Sequence, residues 1–548
     1  MECWLPMGSK GAWFRRMLAA LCRRDVATFV ILALVVCVWT GLNAASTVLE
    51  PGRYPVAHAY RSKPVAMLLS VPIGVGILLC ALAVHRYARR SLLCFLGFAV
   101  WFLVLALAFM PGCLNSDVVY TNWMVVRGVW AGWYSALHPA LLTAFQQLYP
   151  SPNAPILALA LICALLYTAM ALSLLRMLAK PWVVVLLLLV SLTPAGLLMS
   201  TTVVRDSFFT AFLLLFALLI AELVRNAQFA SPKTAVLIAL LGGICVAYRS
   251  DALPSVVLGL ALLTVKLRAT QTTRTPRQTM ALSIAPAIGA VVLIALIPFL
   301  LRGAWEDRAE NEYKLTLMAN PLGYILRQPD SHYTIDEKAT IEKVFLFDDL
   351  IAEWSPQNIS AFYGEHWNKS SSSAERGAAF RASMVIFARN PGAFLEGRWQ
   401  TLKSVGQLPY ATCMRPALSE RGYPATINSG PLVNLGDTLR GALVDSQQPQ
   451  GKWGVAPVWW NVTTWSALLV LVLISAKWAP AAATFAGLLL VRFVVVFLAA
   501  PAGFATYYLT QLIGAGFAVL LCLAELRWRK AGRPSGPASA QRPDRMRP

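Results

Sequence analysis

The stretch VVRDSFFTAFLLLFALLIAELVR, residues 203–225, opens on Arg205-Asp206 and closes on Arg225. The run between them is predominantly apolar. As a helix rising about 1.5 Å per residue, it is long enough to cross a hydrocarbon core of roughly 30 Å. It reads as a membrane span with charge at both mouths. Comparable runs recur along the chain, at 27–47, 65–84, 91–110, 153–175, 182–199, 206–224, 234–248, 252–266, 279–301, 456–476, 479–499 and 505–525. The expected fold is therefore all-α and polytopic, with about twelve transmembrane helices.

Composition agrees. Of 548 residues, 57% are hydrophobic and 13% charged, so one soluble domain could not cover the apolar surface. The net charge of +21 suggests nucleic acid in a soluble protein, but here the basic residues crowd the short loops of one face. With the N-terminus inside, the cytoplasmic segments carry 24 Lys and Arg and the short outer loops six, which sets the expected orientation. No basic groove or RNA-type motif accompanies the charge, which disfavours nucleic acid as a partner.

The predicted organisation follows. Residues 1–26 are a basic cytoplasmic N-terminus ahead of a retained signal-anchor helix. Residues 27–301 form a transmembrane module with outer loops at 111–152, 200–206 and 249–251. Residues 302–455 hold 17 of the 26 acidic residues, nearly balanced by 16 basic ones, and read as a mostly helical extracytoplasmic domain. Its capping boxes are Thr334-x-x-Glu337 and Ser372-x-x-Glu375. The helix after Ser372 should stop before Asn390-Pro391, and Pro391 should open the next. Residues 456–525 return to the membrane, and 526–548 form a disordered basic cytoplasmic tail.

Polar residues collect at the outer ends of the spans. The loop NSDVVYTNWMVVRGVWAGWYSALHPALL, residues 115–142, carries Asp117, His138 and the aromatics Tyr120, Trp123, Trp130, Trp133 and Tyr134. Arg205-Asp206 and Arg249-Ser250-Asp251 occupy the next two outer turns. The spans flanking the latter are expected to be short, about 15 residues each. That would sink the Arg249–Asp251 turn below the surface, where charge is tolerated only against protein or a wet cavity.

Each residue has a plain reading and a chemical one. Asp117 is a helix cap or loop acid, or a general base or metal ligand. His138 is part of an interfacial turn, or orients a phosphate or hydroxyl. Arg205 and Asp206 are a helix-opening pair, or Arg205 holds an anionic head group. Arg249 and Asp251 are an internal ion pair, or line the cavity. Arg492, near the middle of a span, needs a partner or a bound phosphate, since exposure to lipid there costs at least ~2.5–3.5 kcal/mol. Cys113 and Cys413, both outside the spans, could bridge on an oxidising face.

The order of these features resembles the GT-C integral-membrane glycosyltransferases, among them the protein O-mannosyltransferases and the enzymes that add aminoarabinose to lipid A. Asp117 matches the catalytic acid of the first outer loop. WYSALHPALL matches its His-Pro element, with Ala140 where a second Pro is usual. VVRDSFFTAFLLL is similar to the basic-acidic pair opening a later span. AYRSDALPSVVLGL and ARNPGAFLEGRW resemble segments of uncharacterised bacterial relatives.

The resemblance implies a plasma-membrane (inner-membrane) enzyme that transfers a sugar, with inversion, from a polyprenyl phosphate to an extracytoplasmic glycan, lipid or protein. It implies Asp117 as base, His138 and Asp206 in the catalytic group, and Arg205, Arg249, Asp251 and Arg492 around the phosphate. One acid in the first loop rather than a pair disfavours a divalent metal. No Gly-rich nucleotide loop occurs, in keeping with a lipid-linked donor. The competing reading is a flippase for lipid-linked glycans, without catalysis.

Overall fold

The computed structural model describes residues 91–110, 112–113, 129–131, 137–148, 153–226, 229, 231–270, 275–300, 306–308, 312–357, 367–405, 432–447 and 456–531. The two spans expected at 27–47 and 65–84 lie outside these residues, as do Asp117, Cys413 and the basic termini. The chain divides into two compact units, and every contact below belongs to the one formed by Cys94–Gln146 and Pro152–Pro548.

Apolar runs become helices where the sequence expects them, because a backbone in lipid must satisfy its own hydrogen bonds. In chain order these are α1 (Ser91–Phe109), α2 (Leu137–Leu148), α3 (Ala154–Leu178), α4 (Trp182–Ser191), α5 (Pro194–Thr201), α6 (Arg205–Arg225), α7 (Pro232–Tyr248), α8 (Leu253–Thr270) and α9 (Pro276–Leu300). Six described helices are long and apolar enough to cross a bilayer, or up to seven if α4 and α5 count as one bent span. The protein is thus a helical, multi-pass membrane protein. Helix α6 is central: it packs on α3, α7 and α8, and 78% of its apolar window is buried.

Two expectations need correction. The span at 182–199 is broken, its halves α4 and α5 bent by 75°. The Thr193 hydroxyl accepts from the Gly196 amide, and Pro194, with no N–H, opens α5 rather than extending α4. The helix after Asp251 is not short, since α8 runs 18 residues, or about 27 Å. The described fold is otherwise helical, as expected; one short pair, Val129–Ala131 (β1) beside Glu306–Arg308 (β2) in parallel, ties the chain after α1 to the chain leaving α9.

The segment 312–447 folds as α10 (Glu312–Leu326), α11 (Ile335–Glu342), α12 (Phe347–Ala352), α13 (Ser373–Arg389), α14 (Pro391–Lys403) and α15 (Val433–Asp445). Both expected capping boxes are formed, at Thr334 and Ser372. Helix α13 ends at Arg389 and α14 starts on Pro391. Met318, Leu322, Ile341, Phe345, Leu350 and Ile386 are buried in a core of its own.

The chain then returns through α16 (Ala456–Trp460), α17 (Val462–Ile474), α18 (Pro480–Ala499) and α19 (Leu509–Lys530). Two contacts seat the segment on the bundle. Gly436 lies so close to α1 that a Cβ there would meet the Ala108 carbonyl oxygen. Arg398, 1% exposed, donates to the carbonyl of Ala500 and to the side chain of Asn320, and bonds Thr401 Oγ1 at 3.3 Å. Burial pushes its guanidinium down to about 10, so it stays charged at neutral pH.

Candidate functional site

The ends of five helices meet at one end of the bundle. Helix α6 begins there with Arg205-Asp206. Helix α7 ends there at Tyr248, and Arg249 and a 3-10 turn over Ser250–Ala252 lead into α8. Helix α18 brings Arg492 two turns before its end, and α19 starts nearby after Tyr507 and Tyr508.

These elements bring four of the expected residues into one ionic chain. Arg249 pairs with Asp206 through Nη1. It also grips Asp251, with Nε at 3.2 and 3.1 Å from the two carboxylate oxygens and Nη2 at 3.0 Å from Oδ2. Arg492 Nη2 reaches the same Oδ2 at 3.2 Å. The forked guanidinium suits this shared, partly bidentate geometry better than an ammonium would.

Aromatic and polar groups hold the arginines. The Phe209 ring lies 5.8 Å from Arg249 Cζ and 4.7 Å from Arg492 Cζ, so both cations share its face. The Tyr507 ring is 5.3 Å from Arg249. Arg492 Nη1 donates to the Tyr507 carbonyl at 3.1 Å and to the Thr510 hydroxyl. The mid-span arginine therefore meets partners rather than lipid. Side-chain exposure is 0% for Arg492, 1% for Asp206, 9% for Arg249 and 15% for Asp251, so the chain opens at its Asp251–Arg249 edge.

His138 lies beside this chain. It sits in the first turn of α2, where Pro139 costs no helix bond. Its ring is fully buried, 5.4 Å from Phe208 and 6.0 Å from Tyr248. Helix α2 is not among the membrane-crossing helices. Burial, helped by the charge of Arg205, holds the imidazole down to about 3, against a small opposing pull from the Val203 backbone. The ring is thus neutral at physiological pH. Neither ring nitrogen has a well-aligned hydrogen bond among the described residues.

His138 shares that condition with neighbours. The Thr202 and Ser207 hydroxyls, the Tyr248 hydroxyl and Asp206 Oδ2 are all buried without a partner among the described residues. Each such atom costs about 1–3 kcal/mol of desolvation, so a cluster of them is uncommon in a purely structural core.

The chain leaving α1 is tied to the same place. Cys113 donates its amide to the Thr201 carbonyl at 2.8 Å, just ahead of Arg205. Gly112 has φ of +127°, and a Cβ there would sit 2.9 Å from Val203 Cγ2, so this approach needs glycine. Cys113 is disulfide-bonded, with its partner outside the described residues.

The structure thus joins Asp206, Arg249, Asp251 and Arg492 directly and sets His138 and Arg205 next to them. Sequence reading missed Phe209, Tyr507 and Thr510, which look like ordinary span residues. It also missed a second set of buried acids at the opposite end. There Glu222 accepts from Ser173, Arg225 and Arg176, and Glu525 caps the start of α18. Acids within apolar runs were the available signal. Among the described residues no group of three or more His, Cys, Asp or Glu could hold a metal ion.

Comparison with protein-family models, with curated proteins and with solved structures finds no match to this chain.

Proposed function

We propose that the protein is a GT-C-type membrane glycosyltransferase that moves a sugar from a polyprenyl phosphate to an extracytoplasmic acceptor. The observation that carries this reading is the ionic chain Asp206–Arg249–Asp251–Arg492, drawn from three regions of sequence and flanked by buried polar atoms without partners. A polyprenyl phosphate needs cations for its phosphate and a lipid-facing body for its tail, and this bundle supplies both.

In the proposed reaction the acceptor hydroxyl attacks the anomeric carbon from the face opposite the phosphate. Its proton passes to the Asp117 carboxylate, and the bond from the anomeric carbon to the phosphate oxygen breaks. The leaving phosphate gains charge, which Arg249, Arg492 and Arg205 offset. Asp206 and Asp251 hold two of these guanidiniums in place before substrate arrives, so little reorganisation is needed. Neutral His138 can accept or donate a hydrogen bond to sugar or phosphate without changing the site's charge.

The reading places both termini in the cytoplasm and residues 302–455 outside, in the inner (plasma) membrane. Two observations support it: the excess of Lys and Arg on one face, and the disulfide at Cys113, which belongs on an oxidising side.

The test is Asp117→Asn at unchanged expression, with envelope glycans and lipid-linked sugars profiled against a deletion strain. Loss of one glycan modification with build-up of its lipid-linked donor supports transfer. Retention of the modification rejects it. One feature favours the flippase instead: the 75° break between α4 and α5, since discontinuous helices mark many transporter sites. A flippase would tolerate Asp117→Asn.

A further inference from the structure

At the end of the bundle away from the ionic chain, helices α3, α4 and α19 leave a groove on the lipid-facing side. Leu178, Trp182, Leu186, Leu520 and Leu523 line it, and Arg527 stands at its rim. Its cavity volume is about 110 Å³, room for a few methylene groups of a chain that continues along the open face. The walls are not fully covered by protein, since Trp182 is 41% exposed and Leu523 55%.

The charge at the rim decides what fills it. Arg527 and Lys180 form no ion pair among the described residues, and Lys180 precedes the groove-lining Trp182 by two positions. Arg176, 56% exposed, lies one turn before Lys180 and gives Glu222 only a 3.5 Å contact. Trp182 is an amphipathic ring of the kind that anchors at headgroup level. A greasy slot ending in unpaired cations fits a molecule with an acyl chain and a negative head. A zwitterionic lipid offers the same phosphate but adds a cation, which the basic rim repels.

We propose that this groove is a binding site for a diacyl phospholipid with an anionic headgroup, one acyl chain lying along α19 and the phosphate on Arg527 and Lys180. Basic pockets between helices on a positively charged face bind such lipids. This site is independent of the glycosyl-transfer reading and lies at the other end of the helices.

The full chain, purified in detergent and stripped of lipid, is titrated with phosphatidylglycerol, phosphatidylcholine or undecaprenyl phosphate and followed by native mass spectrometry. We expect saturable phosphatidylglycerol adducts at concentrations where phosphatidylcholine gives none. Arg527→Gln should weaken them about fivefold, from about 1 kcal/mol per cation near a membrane surface. Arg527→Lys should restore them. Lys477→Gln, which removes another exposed cation that does not line the groove, should change nothing.

The proposal is overturned if Lys477→Gln weakens binding as much as Arg527→Gln, because the attraction is then diffuse. It also falls if phosphatidylcholine binds equally, or if undecaprenyl phosphate displaces phosphatidylglycerol. Both substitutions are at exposed helix-end positions, so each variant should fold, and an unchanged thermal midpoint confirms it.

Discussion

Both ends of this bundle bury acids, and they treat them differently. At the end holding Glu222 and Glu525, all four carboxylate oxygens find donors. Glu222 takes Ser173 on one oxygen and Arg225 and Arg176 on the other. Glu525 takes the Ala481 and Ala482 amides and the Arg529 guanidinium. Arg225 Nε is the buried polar atom left over there.

At the other end Asp206 keeps one oxygen without a partner among the described residues, and three hydroxyls and an imidazole nearby share that state. The contrast teaches that buried charge by itself is a poor marker of chemistry. A satisfied acid pins helices together. An acid inside an incompletely satisfied polar cluster marks a place where something else belongs.

Breaking the ionic chain should give the largest effect. Arg249→Met strands Asp206 and leaves Asp251 with Arg492 alone, and should cost about 3–5 kcal/mol. The thermal midpoint in detergent reads this, and adding Asp206→Asn should recover part of the loss. If Arg249→Met is silent, the two ends do not differ in the way described.

At the opposite end, Glu525→Ala removes a cap from the first turn of α18 and should cost about 1–2 kcal/mol. Under the proposed function glycan profiles should not change, because this end lies away from the ionic chain.

His138 sharpens the contrast through pH. Its folded form stays neutral down to about 3, whereas the unfolded imidazole takes up a proton near its ordinary value of 6.5. Below pH 6.5 the unfolded chain therefore binds more protons, and stability falls by up to about 1.4 kcal/mol per pH unit. Unfolding followed between pH 7.5 and 5.5 should show this slope, and His138→Phe should flatten it.

The smallest effect belongs to Glu375. Hydrogen bonds from Ser372 hold its carboxylate below the usual range. The stabilisation is complete above the ordinary glutamate value and fades as pH drops through the lowered one. Glu375→Gln should remove only that faint acid-side dependence.

Legibility followed the range of the physics. The capping boxes at Thr334 and Ser372 and the stop at Asn390-Pro391 depend on residues three or four apart, and the sequence displays them openly. Most spans needed only hydropathy. The break at Thr193-Pro194 carried its own signal, a cap followed by a proline, but the surrounding apolar residues masked it in a reading by average hydropathy.

The pairing of Asp206 with Arg249 and Arg492 with Asp251 was half visible. Charges in outer turns and in mid-span announced that partners were needed, while the choice of partner depends on helix packing. Arg398 gave no hint at all. Its helix was expected only as one opened by Pro391, and it is packing against Asn320 and the chain after α18 that buries the guanidinium. Asp117, on which the proposed reaction turns, lies outside the described residues.

Arg398 also constrains how the protein is made. Its guanidinium leans on a carbonyl found 102 residues further along the chain, at Ala500. Until the chain reaches Ala500 that acceptor is missing, and Arg398 has only Asn320 and Thr401, both in its own segment, to bond. The segment between the two membrane regions thus has a core of its own but completes its seat only with the last helices. A chain cut short before residue 500 would leave that buried guanidinium one acceptor short.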